Sequence, residues 1–438
     1  MPSTIDVATR FDWDVFVRRY WNRKPVLYRQ PSQAPFTREA IFEAATSAAR
    51  RHLEHPDAPG ARANVTVTVE KLKQHGLGPW LPRPEDGSLE GYDARLAPTL
   101  GPRRYALIIS LLHASGFQLW SQERAFFGEL WRRVGLPLTG GITTLFHGNY
   151  EHSPVGVHLD RFTTFLFALR GRKRMRFWKQ RPWKEDVSTV LDYAPYLATS
   201  FAAEVEPGDI LYWPSTYYHV GESVGDQVTT SLNIGIPITE HQPLYSVQDV
   251  LGSLAEEPPA PRVARSRRMQ SPLLERGALT RDGRLPTTLP SAFTEALGVF
   301  RDASRPRESR LNIQAAWLKR VSAGGFEPVP PPGPIERLED GARIRGEPGA
   351  PILFEPGKAG AWSCAANGHV WHGSGGGREL VRFFDTLASG REAHVGALLA
   401  PFPKGPQTRH THSRIAATRE GLRSVLEKLH ACRAITRI

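Results

Sequence analysis

The sequence predicts a mainly β protein with α additions, in which an antiparallel barrel or jelly roll forms the core. Between residues 101 and 240, short runs of β-branched and aromatic residues are separated by Gly, Pro or Asp. Examples are YALIISLLH, GITTLFHGNY, TTFLFALRG and QVTTSLNIGIP. Short strands with turn residues between them are typical of closed antiparallel folds. Helical spacing of apolar residues occurs mainly before and after this region, so we expect the helices to be additions to a β core.

Length and charge narrow the class of protein. With 438 residues, 40% of them hydrophobic, the chain is long enough for two or three domains with sizeable cores. Its 56 Lys and Arg exceed its 44 Asp and Glu, which gives a net charge of +12. This excess is compatible with nucleic acid or an acidic peptide as a partner. Solvated Arg-rich helix surfaces are the alternative, and we favour it.

Two cysteines, Cys364 and Cys432, are the whole cysteine content of the sequence. They cannot form a disulfide framework or a thiolate zinc site, so a reducing compartment is expected. The first residues do not show the basic and apolar regions of a signal peptide, and no run approaches about 18 uncharged apolar residues. We therefore expect a soluble cytoplasmic protein without a membrane partner.

Residues 1–100 are predicted to be a helical and strand segment that packs on the barrel. Apolar residues at helical spacing between Phe11 and Tyr20 predict a first helix, and RKPVLYRQ predicts a short strand behind Pro25. TREAIFEAATSAARR predicts a second helix with Thr37 as its N-cap. GPWLPRPEDGSLEGY is rich in turn-forming residues, which favours a surface loop.

The chain after the barrel is predicted to contain two further regions. Residues 241–334 combine a Pro- and Arg-rich linker, whose clearest part is 256–286, with helical patterns at 290–303 and 310–322. Helices around 290–320 could pair two chains, so a homodimer is one expectation for the oligomeric state. Residues 335–438 show short strands, a helix closed by Gly390 and a last helix after Thr418. This C-terminal α+β module is predicted to be winged-helix-like.

Three residues in the predicted barrel form a candidate metal site. His158 and Asp160 are two positions apart, and on a strand such residues face the same side. His219 follows 61 residues after His158 in PGDILYWPSTYYHVGES, where we expect it at the start of a loop beyond a strand. Two imidazoles and one carboxylate leave three open positions on a metal, the arrangement used by non-haem Fe(II). Zinc is more often held by three or four ligands in a tetrahedron.

A lysine is predicted to point into the barrel beside this site. The strand RKRMRFW returns after the turn at Gly171, and alternation gives its two faces different characters. The inner face would carry Lys173, Met175 and Phe177, and the outer face Arg172, Arg174 and Arg176. A cation among apolar neighbours needs a partner, whereas the arginines are expected to be solvated.

The segments HLDRFTTFLFALRGRKRM, GDILYWPSTYYHVGES and TTSLNIGIP together resemble the JmjC-type cupin oxygenases. The similar branch is that of the protein hydroxylases, which includes the asparaginyl hydroxylase of the hypoxia pathway and the ribosomal oxygenases. The resemblance covers residues 101–240 well and extends to RYWNRKPVL near the N-terminus, but not clearly to 241–438. It implies a double-stranded β-helix of the cupin type over residues 101–240.

The resemblance also implies site residues. His158, Asp160 and His219 would ligate Fe(II) and act as the catalytic centre. Lys173 would pair with the distal carboxylate of 2-oxoglutarate, and Asn233 would lie near this co-substrate. Ribosomal oxygenases use an arginine for that carboxylate, so Arg172 or Arg174 competes with Lys173.

The chain departs from the family pattern at two positions. Val155 stands where the hydroxylase has a threonine three residues before the first ligand, and Thr164 stands where it has an asparagine six residues after that ligand. We therefore expect Thr164 or Tyr150 to substitute in the hydrogen bonding of 2-oxoglutarate.

The implied activity is a dioxygenase reaction that consumes Fe(II)-activated O2 and 2-oxoglutarate and hydroxylates an amino-acid side chain. A barrel mouth lined by Tyr217, Tyr218, Tyr150 and His152 favours a peptide or protein substrate, with nucleic acid as a partner that is not required. Two alternatives stay open: hydroxylation of a free amino acid or other small metabolite, and a cupin that binds a partner without catalysis. His369 and His372 in the C-terminal module are expected to be surface residues.

Overall fold

The computed structural model describes residues 5–31, 35–55, 65–238, 298, 301, 306–405 and 414–438. The predicted linker at 256–286 lies outside these residues, and only two positions of the predicted helix over 290–303 are described. Residues up to 239 and from 319 onward form one compact unit. No helix in the described part of the chain is long and apolar enough to cross a membrane.

Thirteen described strands precede residue 240. They are β1 (Asp6–Ala8), β2 (Val26–Tyr28), β3 (Val65–Val69), β4 (Leu72–Lys73), β5 (Tyr105–Ser110), β6 (Ile142–Gly148), β7 (His158–Leu159), β8 (Phe162–Arg170), β9 (Lys173–Trp178), β10 (Phe201–Val205), β11 (Ile210–Trp213), β12 (Tyr218–Ser223) and β13 (Thr229–Pro237). Nine of them form a large sheet in the order β1-β2-β11-β8-β13-β6-β5-β3-β4, and four form a small sheet in the order β10-β9-β12-β7. The predicted mainly β fold with a jelly-roll core and α additions is confirmed.

The apolar pattern of the strands explains why two sheets form. The run FTTFLFAL in β8 is buried on both faces, as expected for a central strand with a helix layer on one side and the second sheet on the other. In β9 burial alternates, with Lys173, Met175 and Phe177 buried and the arginines partly exposed. Met175 and Phe177 pack with Leu166 and Trp213 of the large sheet in a core between the sheets. The predicted inner face of β9 is therefore confirmed.

The helices of the barrel region cover the other face of the large sheet. They are α1 (Trp13–Arg19), α2 (Arg38–Glu54), α3 (Leu89–Leu100) and α4 (Phe117–Val134). Thr37 caps α2 as predicted, because its hydroxyl accepts a hydrogen bond from the Ala40 amide. Buried aromatic and aliphatic residues from these helices and from the sheet form the largest apolar cluster described.

The expectation of a loop over GPWLPRPEDGSLEGY is wrong in its last part. Two short 3-10 turns occupy Gly78–Trp80 and Pro84–Asp86, but α3 begins at Leu89. Ser88 caps this helix by accepting a hydrogen bond from the Gly91 amide, and Tyr92 and Leu96, one turn apart, are buried. The helix forms because the sheet buries this stripe, a contact that turn-forming residues nearby do not reveal.

The C-terminal region contains one long helix and a small α+β module. Its elements are α5 (Pro306–Ser322), β14 (Arg343–Gly346), β15 (Leu353–Pro356), β16 (Ala361–Ala366), β17 (His369–Ser374), α6 (Gly377–Ala388), β18 (Ala393–His394), α7 (Val395–Leu399), β19 (Ile415–Ala416), α8 (Arg419–Ala431) and β20 (Ile435–Arg437). The strands form a three-stranded sheet, β18-β14-β20, and a four-stranded sheet, β15-β16-β17-β19. Asn367 and Gly368, both with positive φ, make the tight turn between β16 and β17.

We predict that His113 makes the stability of the protein depend on pH. Its side chain is fully buried after β5, neither ring nitrogen has a hydrogen-bond partner among the described residues, and burial lowers its pKa to about 4. Because the unfolded chain takes up a proton below about pH 6.5 and the folded chain does not, the free energy of unfolding should fall as the pH drops from 6.5 towards 4.

The expected slope is about 1.4 kcal/mol per pH unit from this residue. Denaturant unfolding at several pH values should show that His113→Leu removes this part of the slope. The control is His75→Gln, at an exposed histidine, which should leave the slope unchanged. An equal slope in the wild type and in His113→Leu would contradict the assignment.

Candidate metal centre

The pairing of two short strands brings the predicted ligands together. β7 pairs antiparallel with β12, and His158 lies directly opposite His219. Asp160 follows β7 immediately and, two positions after His158, faces the same side. The ligand atoms of the three residues all lie within 4.8 Å of one another. His219 lies inside strand β12, so the expectation that it begins a loop is wrong.

Backbone carbonyl groups orient both imidazoles. The Nδ1 of His158 lies 2.9 Å from the carbonyl oxygen of Gly156, and the Nδ1 of His219 lies 3.2 Å from that of Tyr217. A proton on Nδ1 can be donated to each carbonyl, which leaves the Nε2 lone pair free. These Nε2 atoms lie 3.3 and 3.4 Å from the carboxylate oxygens of Asp160. The three ligand atoms thus converge on one point.

The electrostatics of the cluster favour a cation. Burial opposes ionisation of Asp160, but hydrogen bonds with His158 and His219 outweigh it and hold the pKa of the carboxyl group well below its usual value. Burial also opposes protonation of His158, yet its hydrogen bond with Asp160 raises the net pKa of the imidazole. A carboxylate that stays ionised between two imidazoles is a site that a metal ion can occupy in place of protons.

The donor set fits Fe(II) in particular. Two imidazole nitrogens and one carboxylate oxygen on one side of a metal are the facial triad of non-haem iron oxygenases. His219 is almost fully buried, whereas about a third of the Asp160 side chain is exposed. The open side of the triad is therefore the side from which small molecules and a substrate can approach.

The predicted co-substrate lysine lies on the inner face of the small sheet. Lys173 is only 4% exposed, and its Nζ donates a hydrogen bond of 2.9 Å to the Ser231 hydroxyl. The same nitrogen lies 4.7 Å from the ring centroid of Phe146 and 5.7 Å from that of Tyr150. No carboxylate among the described residues forms an ion pair with it. A buried cation with only neutral partners can accept an anion from outside the chain.

The other expected co-substrate residues lie around the same interior. The Ser231 hydroxyl, which accepts a hydrogen bond from Lys173, donates one of 3.4 Å to the side-chain oxygen of Asn233. Lys173, Ser231 and Asn233 are thus connected by hydrogen bonds. Tyr150 is buried, and its hydroxyl has no hydrogen-bond partner among the described residues. Thr164 is buried opposite Trp213, whose ring centroid is 5.0 Å from that of His219, so it lies nearer the metal end.

The competing arginines lie elsewhere. Arg174 is on the outer face of β9, where it contacts Glu204 at 2.6 Å. Arg172 is exposed at the turn before β9. Neither is positioned as Lys173 is, because alternation directs the Arg174 side chain away from the space between the sheets.

Some of the residues expected at the mouth of the barrel lie in its interior and others lie on its outer side. Tyr217 is buried with the inner core and Tyr150 contacts Lys173, so both are interior residues. The Tyr218 ring packs on Trp183, at a centroid distance of 5.3 Å. His152 lies beside Tyr193 on the outer side. His369 and His372 lie on β17 and are not part of the metal cluster found among the described residues.

Sequence reasoning missed Gly221 as a site residue. A Cβ at this position would be 2.9 Å from Cε of Lys173 and 3.2 Å from the sulfur of Met175. Real Cβ atoms essentially never lie as close as 2.9 Å to another atom, so a side chain at this position would displace the end of the lysine chain. Gly221 lies in the same strand as His219, opposite Met175, and only that cross-strand register reveals its role.

Comparison with known proteins agrees with this geometry. Residues 139–242, which include all three candidate ligands and Lys173, match the JmjC domain family. The chain carries a JmjC domain. A curated relative, ribosomal protein uL16 3-hydroxylase of Escherichia coli (strain K12), is 24% identical over 239 residues, which are 52% of this chain and 54% of the relative. The match thus spans about half the length of that relative.

Solved structures of Escherichia coli proteins align along the whole chain. The X-ray structure of E. coli ycfD has a TM-score of 0.48 and 15% identity, with 100% of both chains covered. The structure of YcfD, a ribosomal oxygenase, in complex with cobalt and 2-oxoglutarate has a TM-score of 0.45 and 16% identity, covering 98% of this chain and 99% of that one.

We predict that His158→Ala and Asp160→Ala each weaken metal binding by at least about 100-fold, because losing even a hydrogen-bond partner of a ligand costs 10- to 100-fold. Titration with Co(II), followed by visible absorption and calorimetry, measures this without any turnover. His152→Ala is the matched control, since His152 lies outside the cluster. Unchanged Co(II) affinity in a folded His158→Ala protein would refute the site.

Proposed function

We propose that the protein is an Fe(II)- and 2-oxoglutarate-dependent dioxygenase that hydroxylates an amino-acid side chain in a protein substrate. In the balanced reaction, O2 gives one oxygen atom to a C–H bond of the substrate and one to 2-oxoglutarate, which leaves as succinate and CO2. Bound Fe(II) supplies the redox chemistry and binds O2 and the oxo acid. The observation that carries the proposal is the convergence of His158, Asp160 and His219 inside a barrel that also buries the unpaired cation Lys173.

The protein's own residues would position the reactants. His158 and His219 would hold the metal through their Nε2 atoms, and Asp160 through a carboxylate oxygen. Lys173 would bind the far carboxylate of 2-oxoglutarate, and the free hydroxyl of Tyr150 would donate a hydrogen bond to it. Asn233 and Thr164 would contact the co-substrate from the large sheet.

The spacing along the strands suits a five-carbon dicarboxylate. His219 lies opposite Phe177, and Lys173 is four residues before Phe177 on β9. At about 3.3 Å per residue, the backbone of Lys173 is roughly 13 Å along the strand from the metal ligand. The lysine side chain covers part of this distance, and a bound dicarboxylate would cover the rest.

The walls between these two ends would exclude water. Met175 and Phe177 of the small sheet face Leu166 and Trp213 of the large sheet, and all four are buried. An apolar lining strengthens the attraction between Lys173 and a carboxylate, and it keeps water from competing for the reactive centre.

A ribosomal protein is the first candidate substrate. The reason is the similarity to ribosomal protein uL16 3-hydroxylase, together with a metal site that is open on the side of Asp160. Within the chain, we propose residues 101–240 as the catalytic barrel, residues 1–100 as the segment that completes the large sheet, and residues 241–334 and 335–438 as regions outside the chemistry.

The activity test is incubation of the protein with Fe(II), 2-oxoglutarate, O2 and purified ribosomal proteins, uL16 among them. We expect succinate to form and one ribosomal protein to gain a single oxygen atom, which intact-protein mass spectrometry detects. His158→Ala should abolish both signals. Hydroxylation of free amino acids with no modified protein would contradict the proposed substrate class, and absence of any 2-oxoglutarate turnover would contradict the proposed reaction.

We predict that Lys173→Met raises the KM for 2-oxoglutarate by at least about tenfold, since hydrogen bonds to charged groups contribute about 1.5–3 kcal/mol. Gly221→Ala should raise it in the same direction, because the added Cβ displaces the lysine. Arg174→Met on the outer face is the matched control, with a change of less than about twofold expected. Co(II) affinity, measured in parallel, should stay unchanged in Lys173→Met. A normal KM for 2-oxoglutarate in Lys173→Met would show that another residue binds the far carboxylate of 2-oxoglutarate.

A further inference from the structure

The strand that carries the first candidate ligand, His158, lies at an edge of the small sheet. β7 is the last strand in the order β10-β9-β12-β7, and among the described strands it pairs only with β12. Edge strands present backbone N–H and C=O groups to any extended chain that approaches them. In this protein, that edge is also the rim of the metal site.

Hydrogen bonds on each side of β7 fix the direction of its backbone groups. Val157 exchanges two hydrogen bonds with Val190, of 2.8 and 3.1 Å, on the side away from β12. His158, the next residue, is paired with His219 on the β12 side. Because backbone groups alternate in direction along a strand, the N–H and C=O of Leu159 point to the same side as those of Val157. No described residue pairs with Leu159 there.

Apolar side chains flank this free backbone. Leu159 is 43% exposed, Val155 41% and Leu191 57%. Leu191 lies against Gly156, where a Cβ would be 3.0 Å from its Cδ2 atom and 2.5 Å from the Val190 oxygen. Proteins usually protect such edges with lysine, proline or a bulge, but the exposed position here is a leucine. The edge therefore offers hydrogen bonds and apolar contacts together.

We propose that an extended segment of the protein substrate adds to the edge of β7 as a further strand and hydrogen-bonds to Leu159. This proposal rests on the proposed function. A substrate residue opposite Leu159 would point its side chain to the outer face, as Leu159 does. The residues on either side of it would point to the metal face, because side chains of paired strands alternate in step. Backbone addition would then give affinity, and Leu159, Val155 and Leu191 would contribute side-chain contacts.

The test uses a peptide that spans the residue found to gain oxygen in the ribosomal-protein assay. Each backbone amide is replaced in turn by an ester, which removes one N–H without adding bulk. We expect kcat/KM for the peptide to fall about tenfold at the one position whose N–H would face Leu159, and to change less than about twofold at the two neighbouring positions, whose N–H groups point the other way. Equal tolerance at all positions, or equal losses at adjacent positions, would overturn the proposal.

Variants of the protein give a second measurement. Leu191→Asp should raise the KM for the peptide at least about fivefold, whereas 2-oxoglutarate turnover without peptide and Co(II) affinity should not change. Leu72→Asp, at a leucine that is also exposed but lies on β4, is the matched control and should leave the KM unchanged. A normal peptide KM in Leu191→Asp would count against the edge as the docking site.

The outcomes separate this proposal from the proposed function. If a ribosomal protein is hydroxylated but no single ester position stands out from its neighbours, only the edge proposal fails. If 2-oxoglutarate is consumed and no peptide or protein gains oxygen, the assignment of a protein substrate fails, and strand addition fails with it. If Leu191→Asp turns a dimer into a monomer with no change in KM, the edge pairs two copies of the chain and the proposal is wrong.

Discussion

The metal site depends on one backbone pairing, that of β7 with β12 in the register that sets His158 opposite His219. A slip of one residue would put Leu159 in that place and turn the imidazole of His158 to the outer face. A two-residue strand cannot hold its own register. It is held by neighbours instead: Ser153 donates a 2.7 Å hydrogen bond to Gly221, and Val157 pairs with Val190. The geometry of the ligands is therefore a property of the chain on both sides of β7.

The segment between β9 and β10 supports this arrangement from the outer face. Trp178 donates a hydrogen bond to the Tyr196 carbonyl, and Tyr193 donates one to Glu222 at 2.9 Å. Val157, Trp178, Trp183 and Val220 form a separate apolar cluster beneath it. Val190 belongs to the same segment and is hydrogen-bonded to Val157, so the packing of this segment helps to fix the position of the residue before His158. A loop in the sequence thus acts as part of the wall that positions a ligand.

The features that were predicted correctly from the sequence are those that depend on the periodicity of a single strand or helix. The spacing of His158 and Asp160, the alternation in β9 and the cap at Thr37 are rules of a single strand or helix, and the structure shows all three. His219 was predicted as the third ligand and does lie beside the other two, but its place within a strand was not predicted, because the strand follows a turn whose length the sequence does not specify.

What the sequence did not reveal depends on contacts between distant segments. Gly221 matters because Lys173 and Met175 lie across from it, and the free hydroxyl of Tyr150 matters because Lys173 lies beside it. Helix α3 forms because the sheet buries its apolar stripe. The pairing of Val157 with Val190, 33 residues apart, is of the same kind. Each of these needs the register of at least two strands before it can be stated.

Lys173 shows how the two ends of the site are joined energetically. Among the described residues, its partners are a hydroxyl and two aromatic rings, which stabilise a cation but leave its charge uncompensated. A buried charge without a counter-ion lowers the stability of the empty barrel, and a carboxylate that reaches it recovers that loss. The other end of the same ligand would meet a metal held by His158, Asp160 and His219. A dicarboxylate of the right length would satisfy both ends at once, whereas a shorter acid would leave either the lysine or the metal without its partner, so we expect the barrel to select its co-substrate by length as well as by charge.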